Sequence, residues 1–318
     1  MKFYFLTNPA AGKKNVSDEL KSQIDAVCSE KGVDYEIYNT SAVGDATRYV
    51  KEICEKTSDE ICFFACGGDG TLNEVACGAA GYPHAAVGLI PKGTGNDFAR
   101  NFKNKELFFD ISAQLDGKII ELDILRCNDR YAVNMINIGF DCEVVKKMVQ
   151  IKRSPLVPSK LAYIFGLVIT LVRKPGVKTG SSADGADFVD RSLLLTTIAN
   201  GCFCGGGFHS NPYASLTNGK LDVLYINNVS RIKFVSLVSS YKKGTHIVPK
   251  NANILNTQTC TSLTLRFPST QSVSIDGELH DIDGELNIKT VRNGLRFMLP
   301  CGCELKKESE AEREVETV

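Results

Sequence analysis

The sequence predicts an α/β domain built on a parallel, Rossmann-like sheet over residues 1–120, followed by an all-β sandwich over 121–290. Three observations carry this. The first part alternates strand-like and helix-like runs in the order β-α-β-α-β-α, whereas from about Glu121 the texture changes to short alternating runs. Turn dipeptides then punctuate the second part at Asn128-Asp129, Asn218-Gly219, Asp276-Gly277, Asp283-Gly284 and Asn293-Gly294, as antiparallel hairpins require.

Lys2 to Thr7 reads as the first strand, and Asn8-Pro9-Ala10-Ala11-Gly12-Lys13 after it is a small-residue loop with a basic end. A helix follows. Ser17 can cap it, Asp18 and Glu19 suit the positive end of its dipole, and Leu20, Ile24 and Val27 recur at helical spacing. Tyr35 to Tyr38 is the second strand. Thr40 and the Gly44-Asp45-Ala46 turn lead to a helix bearing Ala46, Tyr49, Val50 and Ile53. The third strand begins at Ile61 and ends in Gly67-Gly68-Asp69-Gly70-Thr71, with Leu72 and Asn73 opening the helix behind it. The fourth, Ala85 to Ile90, ends in a second glycine loop, PKGTGNDFAR, from Pro91 to Arg100. Parallel strands with right-handed crossovers gather these loops at one sheet edge, where ligands bind.

A glycine-rich turn at a helix N-terminus offers backbone amides to a phosphate. Asp69 would repel that phosphate unless a divalent cation lay between them, so the loop reads as built for a metal–nucleotide complex, MgATP. The competing reading makes Asp69 a turn cap. Asp97 comes to the same edge, and paired loop carboxylates beside phosphate-binding amides suit metal-assisted phosphoryl transfer. Neither loop fits the Walker pattern, which leaves Lys13 and Lys92 as the available cations. Gly68, Gly70 and Asn73 occupy the dinucleotide-fingerprint positions, so the third glycine is missing.

The second domain's strand runs are Leu122 to Arg126, Tyr131 to Ile138, Ser192 to Ile198, Leu221 to Ile226, Ser262 to Phe267, Val273 to Ile275 and Leu295 to Leu299. An insert, 146–178, interrupts them. It holds no Asp or Glu and eight Lys or Arg around the apolar run Leu161 to Val172. It is either a buried helix with solvated flanks or an element that rests on an anionic membrane surface. The Glu-rich tail, 305–318, is expected to be disordered.

Thirty-seven basic and 37 acidic residues balance, so no nucleic-acid partner is implied. No stretch reads as a signal sequence or reaches membrane-spanning length, and many of the twelve cysteines sit in apolar runs, which suits the cytoplasm. Cys202/Cys204 and Cys301/Cys303 are C-x-C pairs, which argues against a zinc knuckle. A homodimer is compatible with the sequence, which fixes no oligomeric state.

GGDGTLNEV at Gly67 to Val75, PKGTGNDFAR at Pro91 to Arg100, NPAAGK at Asn8 to Lys13 and SIDGE at Ser274 to Glu278 together resemble the bacterial soluble diacylglycerol kinase family of lipid kinases. The likeness runs from about Lys2 to Pro300. GGDGT alone is shared with NAD kinases, phosphofructokinases and sphingosine kinases; the GTGNDFAR loop with the late DGE narrows the match. The resemblance implies ATP bound between an α/β and a β-sandwich domain, with the segment at about 290–304 returning to the first. It implies nucleotide contacts at Asn8, Pro9, Ala10, Ala11, Gly12, Thr40, Gly67, Gly68, Asp69, Gly70, Thr71, Leu72, Asn73 and Thr94. An aspartate–water–magnesium network would use Asp69, Asp97 and Asp123, and Asp276 would be the catalytic base.

Asp276 also reads, without the family, as the first central residue of a type I′ turn. DGE occurs again at Asp283, but the run FPSTQSVSIDGE and the distance to Pro300 select Asp276. Asn200-Gly201, Gly205 to Gly207, Pro212 and Ala214 match a further family segment, which exposes a departure. Where the family has Asp-Gly-x-Leu-Asp, this chain has Asn218-Gly219-Lys220-Leu221-Asp222. A structural magnesium held by Asn218 and the carbonyls of Ser215 and Lys220 is therefore expected to bind weakly or not at all. The function implied is an ATP- and magnesium-dependent lipid kinase, cytoplasmic and peripheral at the inner face of the membrane, converting diacylglycerol to phosphatidic acid. The alternatives are a kinase of another lipid alcohol, of a soluble acceptor such as NAD, or a nucleotide-binding regulator without turnover.

Overall fold

The computed structural model describes residues 1–8, 16–93, 95–140, 142–143, 146 and 176–306. Pro9 to Gly12, Thr94, most of the basic insert and the tail beyond Lys306 lie outside the described residues. The chain divides into two compact units: Met1–Ile124, Leu216–Gly219 and Val291–Val318 form one, Leu125–Ser215 and Lys220–Thr290 the other.

In the first unit, strands β1 (Lys2–Thr7), β2 (Tyr35–Asn39), β3 (Ile61–Gly67) and β4 (Ala85–Pro91) pair in parallel in the order β2-β1-β3-β4. Helices α1 (Val16–Lys31), α2 (Asp45–Lys56) and α3 (Asp69–Ala79) make the crossovers, because parallel neighbours cannot be joined by a tight hairpin. β3 and β4 are buried along their whole length, which is why they read as unbroken apolar runs. β2 is the edge strand of this order and is only half-buried. Phe3, Phe5, Phe64 and Ile90 meet Leu20, Ile24 and Cys28 of α1 in the core. Phe297, late in the strand Glu285–Leu299, pairs in parallel with Val87 of β4.

The second unit is antiparallel. Gln271–Ile275 pairs with Glu278–Ile282 on one side and Met135–Gly139 on the other. Met135–Gly139 pairs with the long strand Val189–Ala199, which also carries Val177–Ala183 and Leu221–Asn227. Ser262–Arg266 joins Val177–Ala183 to the first residues of Glu285–Leu299. Ile136, Ile198, Val223, Tyr225, Leu265 and Leu286 share its core. The α/β and β-sandwich classes expected from sequence are both present.

Several local expectations change. Tyr131 to Ile138 is two strands, Arg130–Ala132 and Met135–Gly139, because the amides of Val133 and Asn134 turn to the Asp276 carboxylate instead of a ladder. Asn293-Gly294 makes no hairpin. Asn293, at φ 52°, is a left-handed residue inside Glu285–Leu299, and its N–H donates to Asp123 at 2.9 Å. Ser17 lies within α1 rather than before it. A helix, Arg231–Lys243, occupies sequence expected to be all-β. Glu304–Leu305 pairs with Phe102–Lys103, so order extends past the predicted start of the tail.

Candidate active site

β1, β3 and β4 deliver their loops to one edge of the parallel sheet, and hydrogen bonds join them there. Thr40 N–H donates to Thr7 O at 2.9 Å, Asn8 N–H to Cys66 O at 3.4 Å, and the Lys92 and Gly93 N–H groups to Gly67 O at 2.7 and 3.3 Å. Asn8 Nδ2 donates to Thr71 Oγ1 at 3.4 Å. Asn8, Thr40, Gly67 and Thr71 thus lie along one connected edge. The turn after Thr40 is fixed by Asp45, which accepts the Ser41 N–H at 2.8 Å and pairs with Arg48 at 2.5 Å. These partners hold the Asp45 carboxyl down at about 2.

The glycines permit contact between the two loops. A Cβ on Gly93 would lie 2.6 Å from Gly68 Cα, and one on Gly67 would collide with Thr71 Oγ1. Without side chains there, the loops touch backbone to backbone. Leu72 takes no part in the edge: its side chain is fully buried, and its N–H donates to Gly68 O at 3.1 Å.

Asp69 opens α3, and its two carboxylate oxygens accept the Phe98 and Asp97 N–H groups, each at 3.0 Å. It therefore caps the 3-10 turn Phe98–Asn101 on the opposite loop, a role beyond the local cap that sequence suggested. Asp97 is 6% exposed and pairs with Arg100 Nε at 3.2 Å. Phe98 anchors this turn, its ring 5.5 Å from that of Phe102 and 5.3 Å from that of Phe297.

The Oδ2 atoms of Asp69 and Asp97 lie 3.2 and 3.7 Å from the Cβ position of Gly95, so two carboxylates share a confined space. Arg100 offsets part of the Asp97 charge, and the carboxylate oxygens that remain are hard donors of the kind magnesium takes. The pair fits that ion. Among the described residues no cluster of three or more His, Cys, Asp or Glu could hold a metal, so water and phosphate oxygens would complete the shell, as magnesium prefers.

Asp123 is held differently. At 1% exposure it accepts the Gly219 N–H at 2.6 Å and the Asn293 N–H at 2.9 Å, and its own N–H donates to Leu216 O at 2.7 Å. The structure brings Asp69 and Asp97 together, and Asp123 fastens the turn at Gly219 to the strand at Asn293.

In the second unit, Asp276 and Gly277 form the tight turn between Gln271–Ile275 and Glu278–Ile282, with φ 46° and 93°. Those signs are the ones a type I′ turn needs. The buried carboxylate does more than turn the chain. Oδ1 accepts the Asn134 N–H at 3.0 Å and the Met135 N–H at 2.8 Å, and Oδ2 accepts the Val133 N–H at 2.7 Å. Asn134 Nδ2 donates to Phe203 O at 2.7 Å and Asn200 Nδ2 to Val133 O at 2.8 Å, which fixes the strip that holds Asp276. Asn134 and these backbone donors escaped sequence reasoning, since an amide donor has no residue signature; Asn200 was visible in its Asn-Gly segment.

Asn218 lies in the turn Leu216–Gly219 of the first unit, and Ser215 and Lys220 belong to the second. One neutral side-chain oxygen with carbonyls is a poor match to magnesium's preference for carboxylates, so these residues do not fit that ion.

Residues 2–127 match the diacylglycerol kinase catalytic domain, and residues 134–292 match the YegS C-terminal NAD kinase beta sandwich-like domain. The chain belongs to the diacylglycerol kinase catalytic-domain family of lipid kinases. By that membership it is a lipid kinase, a phosphotransferase with an alcohol group as acceptor. Family relatives cover nearly all of it. A Yersinia enterocolitica protein named "Probable lipid kinase YegS-like" is 29% identical over 314 residues, 94% of this chain and 97% of the relative. The Bacillus subtilis protein named "Diacylglycerol kinase" is 26% identical over 276 residues, 85% of this chain and 88% of the relative. The crystal structure of a diacylglycerol kinase from Bacillus anthracis shares the fold at a TM-score of 0.66 and 20% identity, covering 93% of this chain and 96% of that one.

Proposed function

We propose that this lipid kinase uses ATP and magnesium to phosphorylate diacylglycerol, giving phosphatidic acid and ADP. The observation that carries the nucleotide half is the backbone contact between the two glycine loops, with the Asp69 and Asp97 carboxylates converging beside Gly95. The loop amides and α3's N-terminus bind phosphate, with Asn8, Thr40 and Thr71 along the same edge. Magnesium, when bound near Asp69 and Asp97, neutralises charge on the phosphate oxygens. Asp123 completes the proposed aspartate network while holding Gly219 and Asn293.

In the transfer, the acceptor hydroxyl oxygen bonds to the γ-phosphorus, the bond to the β–γ bridging oxygen breaks, and ADP leaves with those electrons. Asp276 takes the hydroxyl proton, a contribution of about 10²–10⁴ in rate. The basic sequence of the insert, 146–178, favours an anionic membrane surface as the place of reaction. Among the described residues no helix is long and apolar enough to cross a membrane.

NAD is the control acceptor, because the matched sandwich domain is described as NAD kinase-like. With ATP labelled at the γ-phosphate, label is expected in phosphatidic acid when diacylglycerol is offered in mixed micelles and not in NADP when NAD is offered. Label in NADP alone would overturn the proposal.

A further inference from the structure

The helix Arg231–Lys243 has one face packed and one face bare. Ser230 caps it, its hydroxyl oxygen accepting the Lys233 N–H at 3.3 Å, and Gly244 ends it at φ 75°. Phe234, Leu237 and Tyr241 recur at helical spacing and pack with Phe140, Leu194 and Leu224. The opposite side holds Ile232, 85% exposed, and Val235, 56% exposed, one turn apart. Lys243 falls in line with Ile232 and Lys242 with Val235, and both lysines are exposed. Scattered exposed aliphatics are ordinary; two on one helix face, each in line with a lysine, form a surface.

Charge selects the partner. No Asp or Glu occurs between Asp222 and Asp276, a stretch that carries Arg231, Lys233, Lys242, Lys243, Lys250 and Arg266. In a chain of zero net charge this is a second acid-free region besides 146–178. The chain shortly before that region meets the helix, and its last residues meet the helix's lead-in. The Phe140 ring lies 4.6 Å from that of Phe234, and Asn228 Nδ2 lies 3.0 Å from the Cβ position of Gly176.

We propose that the outer face of Arg231–Lys243 docks on an anionic bilayer. Ile232 and Val235 enter the headgroup boundary while Lys242 and Lys243 meet lipid phosphates, the arrangement of an interfacial amphipathic helix. The proposal deepens the lipid-kinase reading and rests on it.

The test is sedimentation of the full chain, without nucleotide, with vesicles of phosphatidylcholine alone or mixed with phosphatidylglycerol. Ile232→Glu/Val235→Glu and Lys242→Glu/Lys243→Glu variants change only exposed positions, and circular dichroism melts check their folding. Wild type is expected on the mixed vesicles and not on the neutral ones. Partitioning should fall by about tenfold or more in the first variant, and by at least about fivefold for each lysine lost in the second. Equal partitioning of variant and wild type, equal binding to neutral vesicles, or no binding at all would overturn the docking surface. Phosphorylation of a short-chain, monomeric diacylglycerol is measured in parallel and needs no surface. Its presence with failed sedimentation removes the helix proposal alone; its absence with successful sedimentation removes the substrate assignment alone.

Discussion

Gly93 and Asp123 show how much of the site depends on single residues. A methyl group at position 93 would meet Gly68 Cα at 2.6 Å, backbone against backbone, so neither side has a flexible atom to give way. Gly93→Ala is expected to part the loops and weaken ATP binding by about tenfold or more, equivalent to about 1.4 kcal/mol, measured by isothermal titration calorimetry. Unchanged affinity would show that nucleotide binds without this contact. Asp123→Ala would strand the buried Gly219 amide and free the part-buried Asn293 amide to water. A buried unsatisfied amide costs about 1–3 kcal/mol, so denaturant unfolding should show a loss of about that size. A loss below about 1 kcal/mol would mean the Gly219 amide finds water or another partner.

At the scale of elements, left-handed Asn293 lets the strand Glu285–Leu299 continue where sequence suggests a turn. Asn293→Gly should be nearly neutral, and Asn293→Val should cost about 1–2 kcal/mol in thermal melts, because a β-branched residue resists positive φ. Equal melting of the two would remove the role of that conformation.

His246, just beyond the helix Arg231–Lys243, sets a pH dependence. Burial pushes its imidazole down to about 4, with a smaller push in the same direction from His209. Below an ordinary pKa of about 6.5 the unfolded chain binds a proton that the folded chain refuses until about 4. The contribution is therefore complete above about pH 6.5 and is lost as pH falls towards 4, approaching about 3 kcal/mol. Urea unfolding at pH 7.5 and 5 should show this decline, reduced in His246→Gln. An NMR titration placing the ring near 6.5 would contradict it.

Elements were legible where burial is simple. β1, β3 and β4 are buried along nearly their whole length, and their apolar runs reveal them. The helix Arg231–Lys243 was not, because IKFVSLV is rich in β-branched residues; Ser230, Gly244 and the Phe234–Leu237–Tyr241 face override that propensity. In the candidate site the glycines and aspartates stood out by type and spacing. The cap that Asp69 makes on Phe98–Asn101 and the three amides on Asp276 did not, since both depend on backbone groups brought close only by the fold.

For the whole molecule, the proposal assigns nucleotide to the first unit's parallel edge and proton acceptance to Asp276 of the second. Asp276 has an evident structural duty, so its chemical role needs a variant that keeps the turn. Asn tolerates the left-handed conformation and retains one oxygen for the amides, at a stability cost of about 1–3 kcal/mol. The deciding measurement is the rate of phosphatidic acid formation by wild type and Asp276→Asn in one mixed-micelle assay, below the melting temperature of both, with ATP affinity measured alongside. A fall of about 10²-fold or more in turnover with ATP affinity within about threefold of wild type is predicted. An Asp276→Asn enzyme that forms phosphatidic acid at the wild-type rate would contradict the assignment.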